Sequence, residues 1–100
     1  MEKRTPHCKL SIIKTLIEAG QVRATASAYN GARGLGINNL DEMCAVVLAL
    51  TPRDFYKSMT TAADHRVWQD VYHAKIASGK EVYLKLTVVE DVLIVSFKEL

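Results

Sequence analysis

The stretch from Val82 to Lys98 constrains this chain more than any other, because its apolar and polar residues alternate in two runs, Val82–Val89 and Val92–Lys98, around Glu90-Asp91. A period of two puts successive side chains on opposite faces of a strand, so the pattern predicts a β-hairpin. With Glu90-Asp91 as the turn, Val88 stands against Leu93, Leu86 against Val95 and Leu84 against Phe97. That face is wholly apolar and has to be covered by something else. The other face carries Tyr83, Lys85, Thr87, Ile94, Ser96 and Lys98, with Tyr83 directly across from Lys98.

The cover is written earlier in the chain. Leu10, Ile13, Leu16 and Ile17 recur at helical spacing between about His7 and Ala19, with Pro6 suited to the first turn and Gly20 to the stop. A short strand over Gln21–Ala24 and a second helix from about Thr25 to Arg33 follow, the latter expected to fray at Gly31, Gly34 and Gly36. A third helix opens on Asn39 with Glu42 as its capping partner and buries Met43, Val46, Val47 and Leu50. Thr51-Pro52-Arg53-Asp54 reads as a one-turn helix. Phe55–Thr61 reads as a strand. Asp64–Ile76 fits a strand or a helix capped by Asp64, and the alternation of Val67, Gln69, Val71 and His73 with Trp68, Asp70 and Tyr72 favours a strand for its second half. Helices first and strands later argue an α+β fold, with N-terminal helices packed on a mainly antiparallel sheet that ends in the C-terminal hairpin. At 100 residues one hydrophobic core closes, so residues 1–100 are expected to form a single domain.

Several function classes drop out. The longest apolar run, Ala45–Leu50, is far too short to span a bilayer, and Lys9 and Lys14 interrupt any signal-peptide core behind the charged Met1–Pro6 segment, which predicts no membrane association and a cytoplasmic protein. Cys8 and Cys44 have no Cys or His partner at ligand spacing, so neither a metal site nor a disulfide framework is indicated, and both are expected on helix faces. No cofactor motif is present. A net charge of +2 does not by itself mark a nucleic-acid binder; distribution has to do so. Arg4, Lys9, Arg23, Lys57, Lys75, Lys85 and Lys98 are placed to gather around the sheet, whereas Glu18, Asp41, Glu42 and Asp54 fall on the helical front.

Read in order, FYKSMTT at 55–61, DH at 64–65, WQDVY at 68–72, VYLK at 82–85 and DVLIVSFKEL at 91–100, together with EKRTPH near the start and AGQVR at 19–23, resemble the MqsR family of RelE-like messenger-RNA interferases. The likeness runs over nearly the whole chain, and Ala26–Leu40 is its least familiar part. It implies a RelE-like α+β domain, cleavage of single-stranded mRNA at sites containing GC without ribosomes, and inhibition by a cognate antitoxin of zinc-binding and helix-turn-helix type. The family's active-site Lys, Gln, Tyr and Lys fall by motif on Lys57 in FYKS, Gln69 in WQDVY, Tyr83 in VYLK and Lys98 in SFKEL.

Those residue types make chemical sense. Metal-free RNA cleavage uses the neighbouring 2′-hydroxyl as nucleophile, so a protein has to move two protons and offset charge on the phosphate; DNA, without that hydroxyl, is refused. Lys57 and Lys98 supply positive charge for the phosphorane. Gln69 orients a phosphate oxygen or a base edge. Tyr83 is the proton carrier, and because a free phenol titrates near pH 10 it needs a cation beside it, which Lys98 provides. Lys85, His65 and Arg23 are secondary RNA-binding candidates. His65 and His73 invite an acid–base reading because imidazole titrates nearest neutrality, but loop or structural service is the commoner fate of such residues. Trp68 and Tyr72 read as packing residues ahead of base-stacking ones. Two readings of other classes stand beside the nuclease: a non-catalytic RNA- or ribosome-binding module using the same basic face, and a protein-interaction domain whose sheet edge takes a partner strand.

Overall fold

The computed structural model describes all 100 residues, which form one six-stranded sheet with helices on one of its faces. In chain order the elements are β1 (Glu2–Lys3), α1 (Leu10–Glu18), β2 (Val22–Ala24), α2 (Ala26–Gly34), α3 (Leu40–Leu48), a 3-10 turn (Pro52–Asp54), β3 (Phe55–Thr60), β4 (Trp68–Lys75), β5 (Glu81–Val89) and β6 (Asp91–Glu99). The sheet order is β1-β3-β4-β5-β6-β2; every pair is antiparallel except β2 with β6. The fold is therefore α+β, as the order of periodicities predicts.

Ile13 and Ile17 of α1, Ala28 and Ala32 of α2, and Met43 and Val47 of α3 meet Tyr72, Val82, Leu84, Leu86, Val92, Ile94 and Phe97 from the sheet to form the core. The helix boundaries follow from local chemistry. The Thr25 hydroxyl accepts from the Ala28 amide to cap α2, and the Asn39 side chain accepts from the Glu42 amide to cap α3. Glu42 reaches back one residue further than expected, to the Asn38 amide. The α1 helix starts at Leu10 instead of His7, because the amides of His7 and Cys8 donate to the carboxylate of Asp70, each at 3.0 Å, and so are taken before the extended N-cap Lys9. Cys8 thus lies off the helix face expected for it, while Cys44 is buried on α3. Asp70 is 3% exposed and also accepts from the Ser58 hydroxyl, so this one carboxylate ties the N-terminal segment to β3 and β4. The segment then adds the two-residue strand β1 to the β3 edge.

Gly31 does not fray α2; it sits inside the helix, where the backbone crosses β6 so closely that a β-carbon would lie 1.9 Å from the Phe97 carbonyl oxygen. Helix α2 ends before Gly36, whose φ of +79° is the left-handed conformation glycine adopts without penalty. Residues 61–67 are a loop, with Asp64 accepting from Arg66 in a tight turn instead of opening a helix.

The hairpin keeps the expected pairing at its open end, with Tyr83 opposite Lys98, Leu84 opposite Phe97 and Lys85 opposite Ser96. Beyond Lys85 the register slips by one residue, so Leu86 faces Ile94 and Val88 faces Val92. The bulge removes Leu93 and Val95 from the expected core face and inserts Val92 and Ile94, both fully buried, correcting the placement of Ile94 on the open face. Four consecutive apolar residues, Val92–Val95, carry no alternation from which that choice could be read. The β2–α2 junction makes it: the Thr25 amide donates to the Ile94 carbonyl at 3.1 Å and the Thr25 hydroxyl to the Val95 carbonyl at 2.8 Å.

Candidate active site on the open sheet face

The face of the sheet opposite the helices is built in rows, since residues paired across antiparallel strands share a face. His73, Tyr83 and Lys98 form one row through β4, β5 and β6. Lys57, Val71, Lys85 and Ser96 form the next, through β3 to β6. Met59 and Gln69 begin a third. All four residues singled out by motif, Lys57, Gln69, Tyr83 and Lys98, therefore lie on the same open face. Gln69 stands four residues from His73 along β4, roughly 13 Å at strand rise, so it reaches a neighbouring part of an extended ligand instead of the same atoms as Tyr83.

Around Tyr83 the positive charge is dense. The Lys98 ammonium lies 5.2 Å and the Lys85 ammonium 5.9 Å from the centre of the Tyr83 ring. Lys85 is half-buried, and its ammonium is held below the ordinary lysine range first by that burial and then by the charges of Lys98 and Lys57. Lys57 is pushed the other way, because its ammonium donates to the Glu2 carboxylate at 2.7 Å, which in turn lowers the Glu2 carboxyl. Glu2, and Glu81 two residues from Tyr83 on β5, thus stand at the edge of the cationic field, contrary to a clean segregation of acids onto the helices. Val71, completely buried, forms the floor between Lys57 and Lys85.

The secondary candidates divide. Lys85 belongs to the cluster. Arg23 does not: its guanidinium forks onto Asp91 at 2.7 and 3.2 Å beside the hairpin turn, across from Leu93, some five residues or roughly 17 Å of strand from Lys98. His65 is exposed in the β3–β4 loop, past the Trp68 end of β4, which is the end away from His73 and Tyr83. The histidine at the centre is His73. Its ring stacks on Tyr56 at 4.3 Å with planes 19° apart and tilts toward Tyr83 at 5.8 Å. Tyr56 itself is 44% exposed and has the Arg4 guanidinium 5.6 Å from its ring centre. The pattern of β3 hides this residue, because a bulge between Phe55 and Lys57 swings Tyr56 onto the Lys57 face, where strict alternation would send it to the other. Trp68 is half-buried on the helical side, stacked on His7 at 5.6 Å with the Lys3 ammonium 4.2 Å from its ring. That environment makes it part of the N-terminal clasp. No cluster of three or more His, Cys, Asp or Glu side chains forms anywhere in the fold.

Among known proteins, the family model described as "Motility quorum-sensing regulator, toxin of MqsA" matches residues 5–99. The chain belongs to the MqsR toxin family. Within that family, the curated mRNA interferase toxin MqsR of Escherichia coli (strain K12) is 59% identical over 99 residues, covering 99% of both chains. The family match spans every strand from β2 to β6, so all rows of the open face fall inside it.

Proposed function

We propose that this chain is the toxin of a toxin–antitoxin pair and acts as an endoribonuclease on single-stranded mRNA, cutting at GC-containing sites in the cytoplasm without a metal ion. Membership of a toxin family and the close likeness to an mRNA interferase support the activity. The observation that carries the site is the convergence of Lys57, Lys85 and Lys98 around Tyr83 on an open, unroofed face. An extended RNA strand laid across the rows meets cations where a phosphate would sit and Gln69 one step further along. The partner protein is an antitoxin, of the zinc-binding and helix-turn-helix type that the family resemblance implies.

In the reaction, the 2′-oxygen forms a bond to phosphorus as the bond to the 5′-oxygen breaks, leaving a 2′,3′-cyclic phosphate and a 5′-hydroxyl. The 2′-hydroxyl loses a proton and the departing 5′-oxygen gains one. Tyr83 carries one of these transfers, with Lys98 beside its ring to balance charge. Lys85 and Lys57 offset the charge that builds on the equatorial phosphate oxygens, a contribution that weighs more on a partly desolvated surface than in bulk water. Nothing in this scheme calls on a divalent ion, because the lysines occupy that electrostatic role.

Purified chain incubated with a GC-containing RNA and EDTA should give discrete fragments ending in cyclic phosphate, and a single 2′-deoxy substitution at the cut site should block that cut. Intact RNA after prolonged incubation would instead favour a non-catalytic RNA- or ribosome-binding module. Fragments that appear only after magnesium is added would overturn the metal-free scheme.

A further inference from the structure

The ring nitrogens of His73 have no protein hydrogen-bond partner and open to solvent, although the ring is half-buried at the centre of the row between Tyr56 and Tyr83. A partly buried imidazole normally bonds a carbonyl or a carboxylate. Here the surroundings point elsewhere. From β3 it meets Tyr56, with Lys57 beside it; from β5, Tyr83, flanked by Lys85 and Glu81; from β6, Lys98 opposite Tyr83; and on its own strand Lys75 stands opposite Glu81 in the sheet register. The 3-10 turn near this end of β4 contributes Arg53 and Asp54, whose carboxylate is already taken by the amide and hydroxyl of Thr51. The Glu2 carboxylate is taken by Lys57. Glu81, two residues along β5 from Tyr83, makes no hydrogen bond to the ring, so no acid is bonded to His73, and lysines stand in the same rows.

We infer that His73 is a substrate-binding residue of the nuclease: it contacts an RNA phosphate in its protonated form, so that binding of RNA takes up a proton. The inference rests on the RNA-cleaving reading given above. An RNA phosphate in the row favours the imidazolium, because an anion within a few ångströms stabilises the charged ring. The Tyr56 face, parallel and 4.3 Å away, suits the cation as well, since an aromatic face attracts a positive charge lying over it. The phosphate and Tyr56 thus act on one imidazole from two sides, and RNA affinity strengthens as pH falls through the imidazole range. The linkage is reciprocal, so bound RNA raises proton occupancy by the same factor by which protons raise RNA affinity.

The test uses full-length protein and a GC-containing RNA made uncleavable by a 2′-deoxy substitution at the cut site, with affinity measured from pH 5.5 to 8 at fixed salt. Calorimetry in two buffers of different ionisation enthalpy counts the protons. Wild type should bind about tenfold more tightly at the acid end and take up a fraction of a proton near neutrality. His73→Gln should bind at the weak, alkaline-limit affinity throughout and take up none. His73→Arg, permanently charged, should bind at the acid-limit affinity throughout. In that variant the salt dependence should be steeper than in His73→Gln by about 0.7 in log–log slope, the value of one added phosphate contact on a single strand. The inference fails if wild type and His73→Gln share one pH profile and one proton count while both bind RNA. If wild type binds no RNA at any pH and cuts none, the nuclease reading itself falls. Circular dichroism of each variant shows whether it is folded, and the Arg variant keeps the result interpretable if Gln weakens the fold.

Discussion

The hydroxyl of Thr25 donates to the carbonyl oxygen of Val95 at 2.8 Å, and so clamps the bulge that decides which side chains of β6 enter the core. The Thr25 hydroxyl oxygen in turn accepts from the Ala28 amide at 3.0 Å, so one side chain both caps α2 and holds the bulge. Only with the slip in place do Val92 and Ile94 join Phe97 in the core while Lys98 stays on the face of Tyr83.

Thr25→Val keeps the shape and removes both bonds. It should lower stability by about 2 kcal/mol, the sum expected from a lost cap and a lost hydrogen bond to the bulge. Thr25→Ser should recover most of it. Denaturant unfolding of the three proteins checks this, and a Thr25→Val chain as stable as wild type would show that the bulge holds itself.

Gly31 presents the opposite constraint, closeness without a bond. An alanine there would set its β-carbon 1.9 Å from the Phe97 carbonyl oxygen, a backbone atom that cannot rotate aside. Gly31→Ala should therefore cost about 2–3 kcal/mol by forcing α2 off the sheet, even though alanine is the better helix former by about 1 kcal/mol. Gly34→Ala, with open space around its position, should stabilise the chain, and the difference in midpoint between these two variants is the measurement.

These two positions also show what could and could not be read from the chain. Helical stripes such as Ile13 with Ile17 and Met43 with Val47, the cap at Asn39, and the pairing of Tyr83 with Lys98 follow from local periodicity and side-chain chemistry. The misread features depend on contacts between distant segments. Asp70 shortens α1 from the far side of the chain, Phe97 explains Gly31, and Thr25 sets the slip in an apolar run that has no parity of its own. On the candidate site's face, alternation alone gives the pairing of Tyr83 with Lys98, whereas the selection of Lys57, Gln69, Tyr83 and Lys98 as a site rests on family resemblance. Tyr56 is hidden because a bulge reverses its side, and His73, which invites attention only as a titratable residue, owes its place to what surrounds it.

Tyr72 supplies a pH signature. Its phenol is buried with no protein partner, and burial, then the charge of Asp70, pushes its pKa up from 10.0 to about 12. Between those values the unfolded chain has released this proton and the folded chain still holds it, so this contribution is intact below pH 10 and stability falls as pH rises toward 12. Tyr72→Phe should remove that part of the alkaline loss. At neutral pH it should also gain about 1 kcal/mol, because a buried hydroxyl without a partner is deleted while the ring stays. Chemical denaturation at pH 7 and pH 11 tests both halves, and a variant less stable than wild type at pH 7 would mean that the hydroxyl is satisfied by solvent.

The last expectation joins fold to chemistry through Tyr83 and Lys98, which sit opposite each other with the ammonium 5.2 Å from the ring. If the two move one proton as a unit, Tyr83→Phe and Lys98→Ala should each slow single-turnover cleavage by about a hundredfold, the lower end of acid–base contributions. The double variant should be little slower than either single one, since removing the second member of a broken unit removes little more. Neither change touches the core, because Tyr83 is only half-buried and Lys98 is exposed, so unfolding midpoints should stay near wild type. His65→Ala, on the distant loop, should cleave at the wild-type rate. Losses that multiply in the double variant would assign Tyr83 and Lys98 to separate steps. Wild-type cleavage by the Tyr83→Phe protein would take Tyr83 out of the proton path altogether.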